Sequence, residues 1–484
     1  MHHVQQLRTH RARASTRTPF ADPRDDIQRM VIHELRKAAA FLFLQIEPGW
    51  TARVKSWLKG EVLPKVATAA ADGDVSLQIA FTAAGLRALG LTEVELRAFP
   101  LDFVEGMAGR ARRLGGLAED VAGWRFGRDD QEIHLLLAIY APAPDDVERA
   151  AAALHTPPGL RAVHRLRAAW SEREPFGFRD GLSQPAIAGF PESEGPRTHA
   201  EDEPVSTGEF LLGYPNEHGE LPISPQVRPE RDPGGHLRPA TPGGSGPRDL
   251  GRNGTYLVLR QLHQDVARFH AFLTEQARCV YGVDDERHRT LLAAKMMGRW
   301  PNGAPLQEGQ TEEPPLRPGE ENAFLFMSSS AGGCPVGAHV RRANPRDALG
   351  ASGPPAGTSA GAEGALSDQQ RASLRAVRRH RLIRRVVRYR EGEEEGIVFI
   401  ALNASIERQF EYVHRSWLHN EKIGTAFDEK DPLMSAGRGE RFTIPDSPVR
   451  RCVTGLPAFV RTVGGGYFFL PGLSALRFLS ALPG

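Results

Sequence analysis

Glu132-Ile-His-Leu-Leu-Leu-Ala-Ile-Tyr140 is followed, after four residues, by Asp145-Asp-Val-Glu-Arg-Ala-Ala-Ala-Ala-Leu154. The first run is short, apolar and partly β-branched, which reads as a buried strand. The second opens with acids and continues through alanines, which reads as a helix. A strand feeding a helix sets the class, and the neighbouring sequence repeats it. Ala38–Ile46 is apolar throughout and reads as a strand. Thr51 to Leu63 has Val54, Trp57, Leu58 and Val62 on one helical side, with Pro64 to end it. Ser76–Phe81 alternates as a strand does, and Thr82 is placed to cap a short helix. No glycine-rich phosphate loop joins these elements, so an α+β unit is expected rather than a dinucleotide-binding fold.

A second stretch reads in similar order. Thr255–Leu262 is strand-like, Asp265 to Ala277 is helical with Phe269 and Phe272 on one side, and Ile397–Leu402 is a buried strand. Ser405 to Leu418 reads as a helix, Tyr467–Leu470 as a last strand and Pro471 to Leu482 as a closing helix. The similarity of order suggests a duplicated α+β unit, although no residue-level repeat marks it. The divisions expected are a disordered basic tail over 1–24, one half over 25–224 and a second over 251–484. Between the halves, the Pro- and Gly-rich 225–250 reads as a linker not ordered by its own contacts. A flexible insert is expected at 350–364.

With 484 residues, the chain has length for more than one domain. Lys plus Arg total 61 and Asp plus Glu 59, a net charge of +2, which argues against a dedicated nucleic-acid binder. Gly (50) and Pro (37) are plentiful enough to require much loop. Cys279, Cys334 and Cys452 are odd in number and form no Cys-x-x-Cys, so neither a disulfide framework nor a zinc site is expected. The N-terminus has no apolar signal region, and no apolar run reaches the roughly 20 residues of a membrane span. A soluble, cytoplasmic protein without a membrane partner is the expectation.

Three segments carry candidate chemistry. In Phe176-Gly-Phe-Arg-Asp-Gly-Leu-Ser-Gln-Pro185, Gly177 and Gly181 bracket Asp180. Glycines there allow close approach of a ligand, while an Asx-turn is the plainer explanation. In Gly333-Cys-Pro-Val-Gly-Ala-His-Val-Arg-Arg-Ala-Asn-Pro-Arg346, small residues precede His339, and Arg341, Arg342 and Arg346 follow. An imidazole with room beside it and arginines for carboxylates suits a haem, although a lone histidine is more often structural. From Arg371 to Arg390 run nine arginines, balanced by Glu391 to Glu395. That run reads as a solvated helix face, unless one guanidinium enters a pocket.

The Gly-Phe-Arg-Asp-Gly at 177–181 resembles the GxxDG motif of the dye-decolorizing peroxidases, in their longer fungal- and cyanobacterial-like branch. Six further blocks match in the same order: GEFLLGYPNE (208–217), GRNGTYLVLRQLHQDV (251–266), AKMMGRWPNGAPL (294–306), GAHVRRANPRD (337–347), NASIERQFEYVHRSWLHN (403–420) and GLPAFVRTVGGGYFFLPG (455–472). The resemblance covers nearly everything from Asp25 onward. It implies two ferredoxin-like α+β halves of the dimeric α+β barrel type, with b-type haem held mainly by the second. It implies His339 as the iron ligand, Asp180 as the distal acid–base group and Arg384 as the arginine that stabilises peroxide, with Arg385 as the fallback. Arg341, Arg346 and Arg342 become candidates for the haem propionates. Ile397 and Phe399, on alternate strand positions, become the distal wall. Asp431 or Asp446 would stand behind the histidine. The chain departs from the family at Phe324–Cys334 and at Val386-Val387-Arg388.

The activity implied is reduction of hydrogen peroxide with oxidation of bulky aromatic donors, dyes and phenolics among them. Electrons from such donors would hop through a surface aromatic: Tyr281, Tyr389, Trp300 or Trp417. A rate maximum at acidic pH is expected, since an unperturbed Asp, with a pKa near 3.9, is mostly protonated only there. The alternatives are a haem-binding or haem-handling protein with little turnover, and an inactive scaffold whose arginines meet an anionic partner.

Overall fold

Eight strands close into one antiparallel barrel in the computed structural model. It describes residues 23–482 apart from 115–120, 129–131, 194–202, 242, 318, 328–332, 350–365, 425–426, 435–439 and 447–448. The expected tail, through residue 22, and the expected 350–364 insert therefore lie outside the described residues. The strands are β1 (Ala38–Ile46), β2 (Ser76–Phe81), β3 (Leu135–Ala141), β4 (Leu160–Ala169), β5 (Thr255–Gln264), β6 (Ile383–Glu391), β7 (Glu394–Asn403) and β8 (Val460–Leu470). Their order round the barrel is β1-β3-β2-β8-β5-β7-β6-β4.

Two four-stranded sheets make up that barrel, β4-β1-β3-β2 and β8-β5-β7-β6. Counted within each half, both run 4-1-3-2, the ferredoxin-like order. The duplication that the sequence suggested is therefore one of topology. The seams between the sheets are narrow: Phe469 pairs with Phe81 at one, and Ala169 with Arg388 at the other.

Period-two alternation sorts the side chains. Phe41, Tyr140, Leu257, Leu259, Val398, Ile400 and Phe468 share one buried cluster inside the barrel. The opposite faces carry helices. Those used below are α1 (Thr51–Trp57), α2 (Pro144–Ala152), α3 (Val266–Tyr281), α4 (Glu286–Met297), α5 (His339–Ala343) and α6 (Asp368–Arg378). Helix α1 continues through wider turns to Val62 and a tight turn at Leu63–Lys65, and Thr82 does cap its helix, accepting from Gly85 N–H at 3.0 Å. The wide-turned helical segment Ile406–Glu411 and Val413–Leu418 lies where one helix is expected. Arg110 pins it from across the fold: its Nε donates to Glu411 Oε1 at 2.8 Å, and Tyr467 Oη donates to the same oxygen at 3.1 Å.

Three expectations need correcting. Strand β3 starts at Leu135 rather than Glu132, because His134 turns its Nδ1 to accept the Ile46 N–H at 3.0 Å. The 225–250 segment is ordered by its own contacts. Gln226–Val227, Arg238–Pro239 and Arg248–Asp249 form a three-stranded sheet, and Asp232 accepts from the N–H groups of His236 and Leu237 at 3.0 and 2.8 Å. Short polar side chains thus supply the order that a Pro- and Gly-rich composition conceals. The arginine run is no single helix face: it spans α6, a turn and β6.

Candidate functional site

A cavity opens on the face of β5, β6 and β7 turned away from the barrel interior. Arg260, Leu262 and Gln264 come from β5, Arg384 and Val386 from β6, and Ile397 and Phe399 from β7. Register explains the grouping: Phe399 pairs with Val386 on one side and with Arg260 on the other. The same alternation separates Arg384 from Arg385. Arg384 shares the cavity face with Val386, whereas Arg385 points the other way and donates to the carbonyls of Met30, Val31 and His33. The cavity has a volume of about 290 Å³.

Asp180 reaches this cavity on the loop that follows β4. Gly177 and Gly181, at φ of 97° and 80°, give the loop its turns. Gln184 then ties it to β6, its amide accepting from Arg384 N–H and donating to Arg384 C=O, both at 3.0 Å. Arg384 Nη2 donates to Leu182 C=O at 2.6 Å. Asp180 Oδ1 accepts from the Gly181 N–H at 2.6 Å. Burial pushes the Asp180 carboxyl above its ordinary range. The Gly181 N–H and Arg384 pull it down, Glu34 pushes it up, and the net direction is upward. Burial likewise lowers the Arg384 guanidinium, against the pull of Asp180 and Glu34.

His339 begins α5 and also lines the cavity. Its Nδ1 meets Asp431 Oδ2 at 2.8 Å, which settles the choice between the two aspartates. Asp446 pairs instead with Arg451. Asp431 is fully buried, and its other oxygen accepts from Leu433 and Met434 N–H at 2.9 and 2.8 Å. Burial works against both charges, yet the pair prevails: His339 is raised and Asp431 lowered from their ordinary values. With Nδ1 engaged, Nε2 of His339 has no protein partner among the described residues.

The arginines after His339 are placed differently from the expectation. Arg342 is fully buried and donates to the carbonyls of Gly337, Trp417, Asn420 and Glu429. Arg341 donates to Cys334 C=O at 2.8 Å over the Phe326 ring. Arg346 packs on Phe324 and donates to Asn322 and Phe324 C=O. None of the three lines the cavity; Arg346 reaches its lining through Ser183 Oγ at 3.2 Å. Arg299, which does line the cavity, donates to Ser183 Oγ and Asn322 Oδ1, both at 3.0 Å. Ile397 and Phe399 lie in the cavity wall. Of the four aromatics expected at the surface, Trp300, Tyr389 and Trp417 are buried and Tyr281 is half-buried. Trp417 touches the more exposed Tyr412, ring centroids 5.7 Å apart.

Sequence reading missed four cavity groups. Glu174 holds the loop of Asp180, accepting from Phe176 and Phe178 N–H at 3.0 and 2.9 Å and from Gln264 Nε2 at 2.6 Å. Arg260 and His414 meet at 3.1 Å on the wall, and Arg299 stands at the margin. The alternation of β5 was the one signal available, since it places Arg260 and Leu262 on a common face.

An antiparallel α+β barrel thus brings a carboxylate-backed imidazole and an Asp–Arg couple into one cavity. That arrangement defines a class, and the comparisons give it a family context. No family model matches the chain. The chain is 27% identical to dye-decolorizing peroxidase msp1 of Mycetinis scorodonius, over 93% of this chain and 86% of the relative. It is 26% identical to dye-decolorizing peroxidase AauDyP1 of Auricularia auricula-judae over the same shares. A fungal DyP-type peroxidase structure from Auricularia auricula-judae matches at TM-score 0.73 and 24% identity, covering 95% of this chain and 99% of the other. AauDyP complexed with imidazole matches at TM-score 0.71 and 26% identity, over 95% and 99%. Over nearly its whole length, in sequence and in fold, the chain is related to the dye-decolorizing peroxidases.

Proposed function

We propose that this chain is a haem-dependent peroxidase that reduces hydrogen peroxide and oxidises bulky aromatic donors such as dyes and phenolics. One observation carries the reading: His339, its Nδ1 held by Asp431, lines the cavity that Asp180 and Arg384 share, and its Nε2 has no protein partner among the described residues.

A b-type haem suits these residues. An imidazole whose Nδ1 is engaged by a carboxylate is a strong iron ligand through Nε2. Leu262, Met297, Ile397, Phe399, Phe410 and Leu433 offer apolar walls to a flat ring. Arg299 stands at the margin, where carboxylates would lie; Arg341 and Arg346 are engaged by backbone carbonyls instead. When bound, the haem supplies the iron at which peroxide is split and through which electrons arrive.

The protein's own part is proton and charge management. Asp180 takes the proton from one peroxide oxygen and returns it to the other. Arg384 stays protonated and stabilises negative charge as the O–O bond lengthens. Because burial raises the Asp180 carboxyl, it keeps its proton to higher pH than an exposed aspartate. The acid limb of the rate, below which Asp180 is already protonated and cannot take the peroxide proton, is then displaced toward neutrality. Donors too large for the cavity are oxidised at the surface, with Tyr412 and Trp417 as the relay.

Among the described residues no helix is long and apolar enough to cross a membrane. The three free thiols accord with a cytoplasmic setting, which is part of this proposal. The test is to add hydrogen peroxide to haem-loaded protein. A prompt change in the Soret band and oxidation of an added dye are expected. A stable haem spectrum that peroxide leaves unchanged would instead favour a haem-handling protein.

A further inference from the structure

Reduction of hydrogen peroxide to two waters consumes two electrons and two protons (H2O2 + 2 e− + 2 H+ → 2 H2O). On the reading above, those protons must come from solvent to Asp180, which sits in the cavity wall. Beyond Asp180, on the far side of Gly181, stands Glu34. Its Oε1 lies 3.0 Å from where a Cβ on Gly181 would be, and that glycine's N–H holds Asp180 Oδ1. Both carboxylates therefore border one residue. Any side chain at position 181 would meet Glu34, and φ of 80° favours glycine there as well.

The other end of Glu34 faces outward. Arg36 holds its Oε2 from Nε at 3.0 Å and from Nη2 at 2.9 Å, and the Glu34 side chain is 30% exposed. Around Glu34 the charged groups are Arg36 on its own segment, Asp180 from the loop, and Arg384 and Arg385 from β6. His33, its neighbour, is turned to Ala69 C=O at 2.9 Å. Glu34 is thus a carboxylate with one oxygen at the surface and the other beside the Asp180 loop.

We propose that Glu34 relays protons from solvent to Asp180. A solvent proton binds the Glu34 carboxylate, passes from its Oε1 side directly or through one water to the Asp180 carboxylate, and leaves Glu34 ionised for the next. Glu34 does not touch peroxide; it acts through Asp180. This inference rests on the peroxidase reading, and its test keeps the two apart.

The experiment compares haem-loaded wild type, E34Q, E34D and D180N at saturating peroxide and donor, across pH, in H2O and D2O. For E34Q the expected results are turnover lowered by about tenfold or more, a larger solvent isotope effect, and an acid limb moved to lower pH. The limb moves that way because Glu34's charge helps hold the Asp180 carboxyl up. E34D, which keeps the carboxylate, should recover most of the turnover. Wild-type turnover and an unmoved pH profile in E34Q overturn the relay. If E34Q melts early, E34A is measured with and without formate: rescue by formate supports the relay and its absence overturns it. If haem-loaded wild type turns over no peroxide, the peroxidase reading itself fails; if D180N is fully active, Asp180 is not the proton carrier and the relay falls with it; if D180N is inactive while E34Q behaves as wild type, only the relay fails.

Discussion

His339 and Asp431 meet through a 2.8 Å hydrogen bond, with every oxygen of the aspartate engaged. Asp180 and Arg384 face the same cavity, yet no hydrogen bond joins them among the described residues; each is held by backbone instead. The two acid–cation couples share their chemistry and differ in state. Asp431 is pulled below its ordinary pKa by its partner, whereas Asp180 is pushed above it by burial. A ligand-orienting acid needs a fixed charge, while a proton-carrying acid needs one that is easily gained and lost. On the proposed reading, the difference separates the couple that holds a ligand from the couple that moves a proton.

Substitutions can break that contrast. The largest effect is expected from D180N, which keeps shape but cannot accept the proton: peroxide turnover should fall about 100- to 10,000-fold with haem retained, as stopped-flow spectroscopy would show. R384L should cost about 100- to 1,000-fold in the peroxide step. It should also move the acid limb to higher pH, because Arg384 pulls the Asp180 carboxyl down and its removal lets that pKa rise further. A limb that stays in place would separate Arg384 from Asp180. D431N should weaken haem retention by about 10- to 100-fold, read by transfer of haem to an apo-acceptor, with little change in the pH limb. The smallest effect belongs to W417F, expected to slow a bulky dye several-fold while leaving a small phenol unchanged in steady-state assays.

The sequence carried the strand–helix order, because buried strands and amphipathic helices announce themselves by periodicity. Period two also distinguished Ile397 and Phe399 as wall residues, and in the structure it separates Arg384 from its neighbour Arg385. What it could not carry was distance between remote segments. Asp431 is 92 residues from His339, and nothing local separates it from Asp446. Arg341 and Arg346 stand close to His339 in the chain, but their donors are taken by carbonyls that sequence does not reveal. Arg299 and Glu174 belong to the cavity for the converse reason: loops from elsewhere carry them to it. The order within 225–250 was hidden because it rests on Asp232 and Asp249 accepting from backbone N–H groups a few residues on, which a Pro- and Gly-rich composition does not announce.

The central claim is that His339 binds haem in this cavity, and an absorption spectrum tests it most directly. Wild type and H339A, each reconstituted with haem and desalted, should differ: an intense Soret band in the first and its loss in the second, with both proteins folded by far-UV circular dichroism. An equal Soret band in both would contradict the account, since it would place the iron on some other ligand.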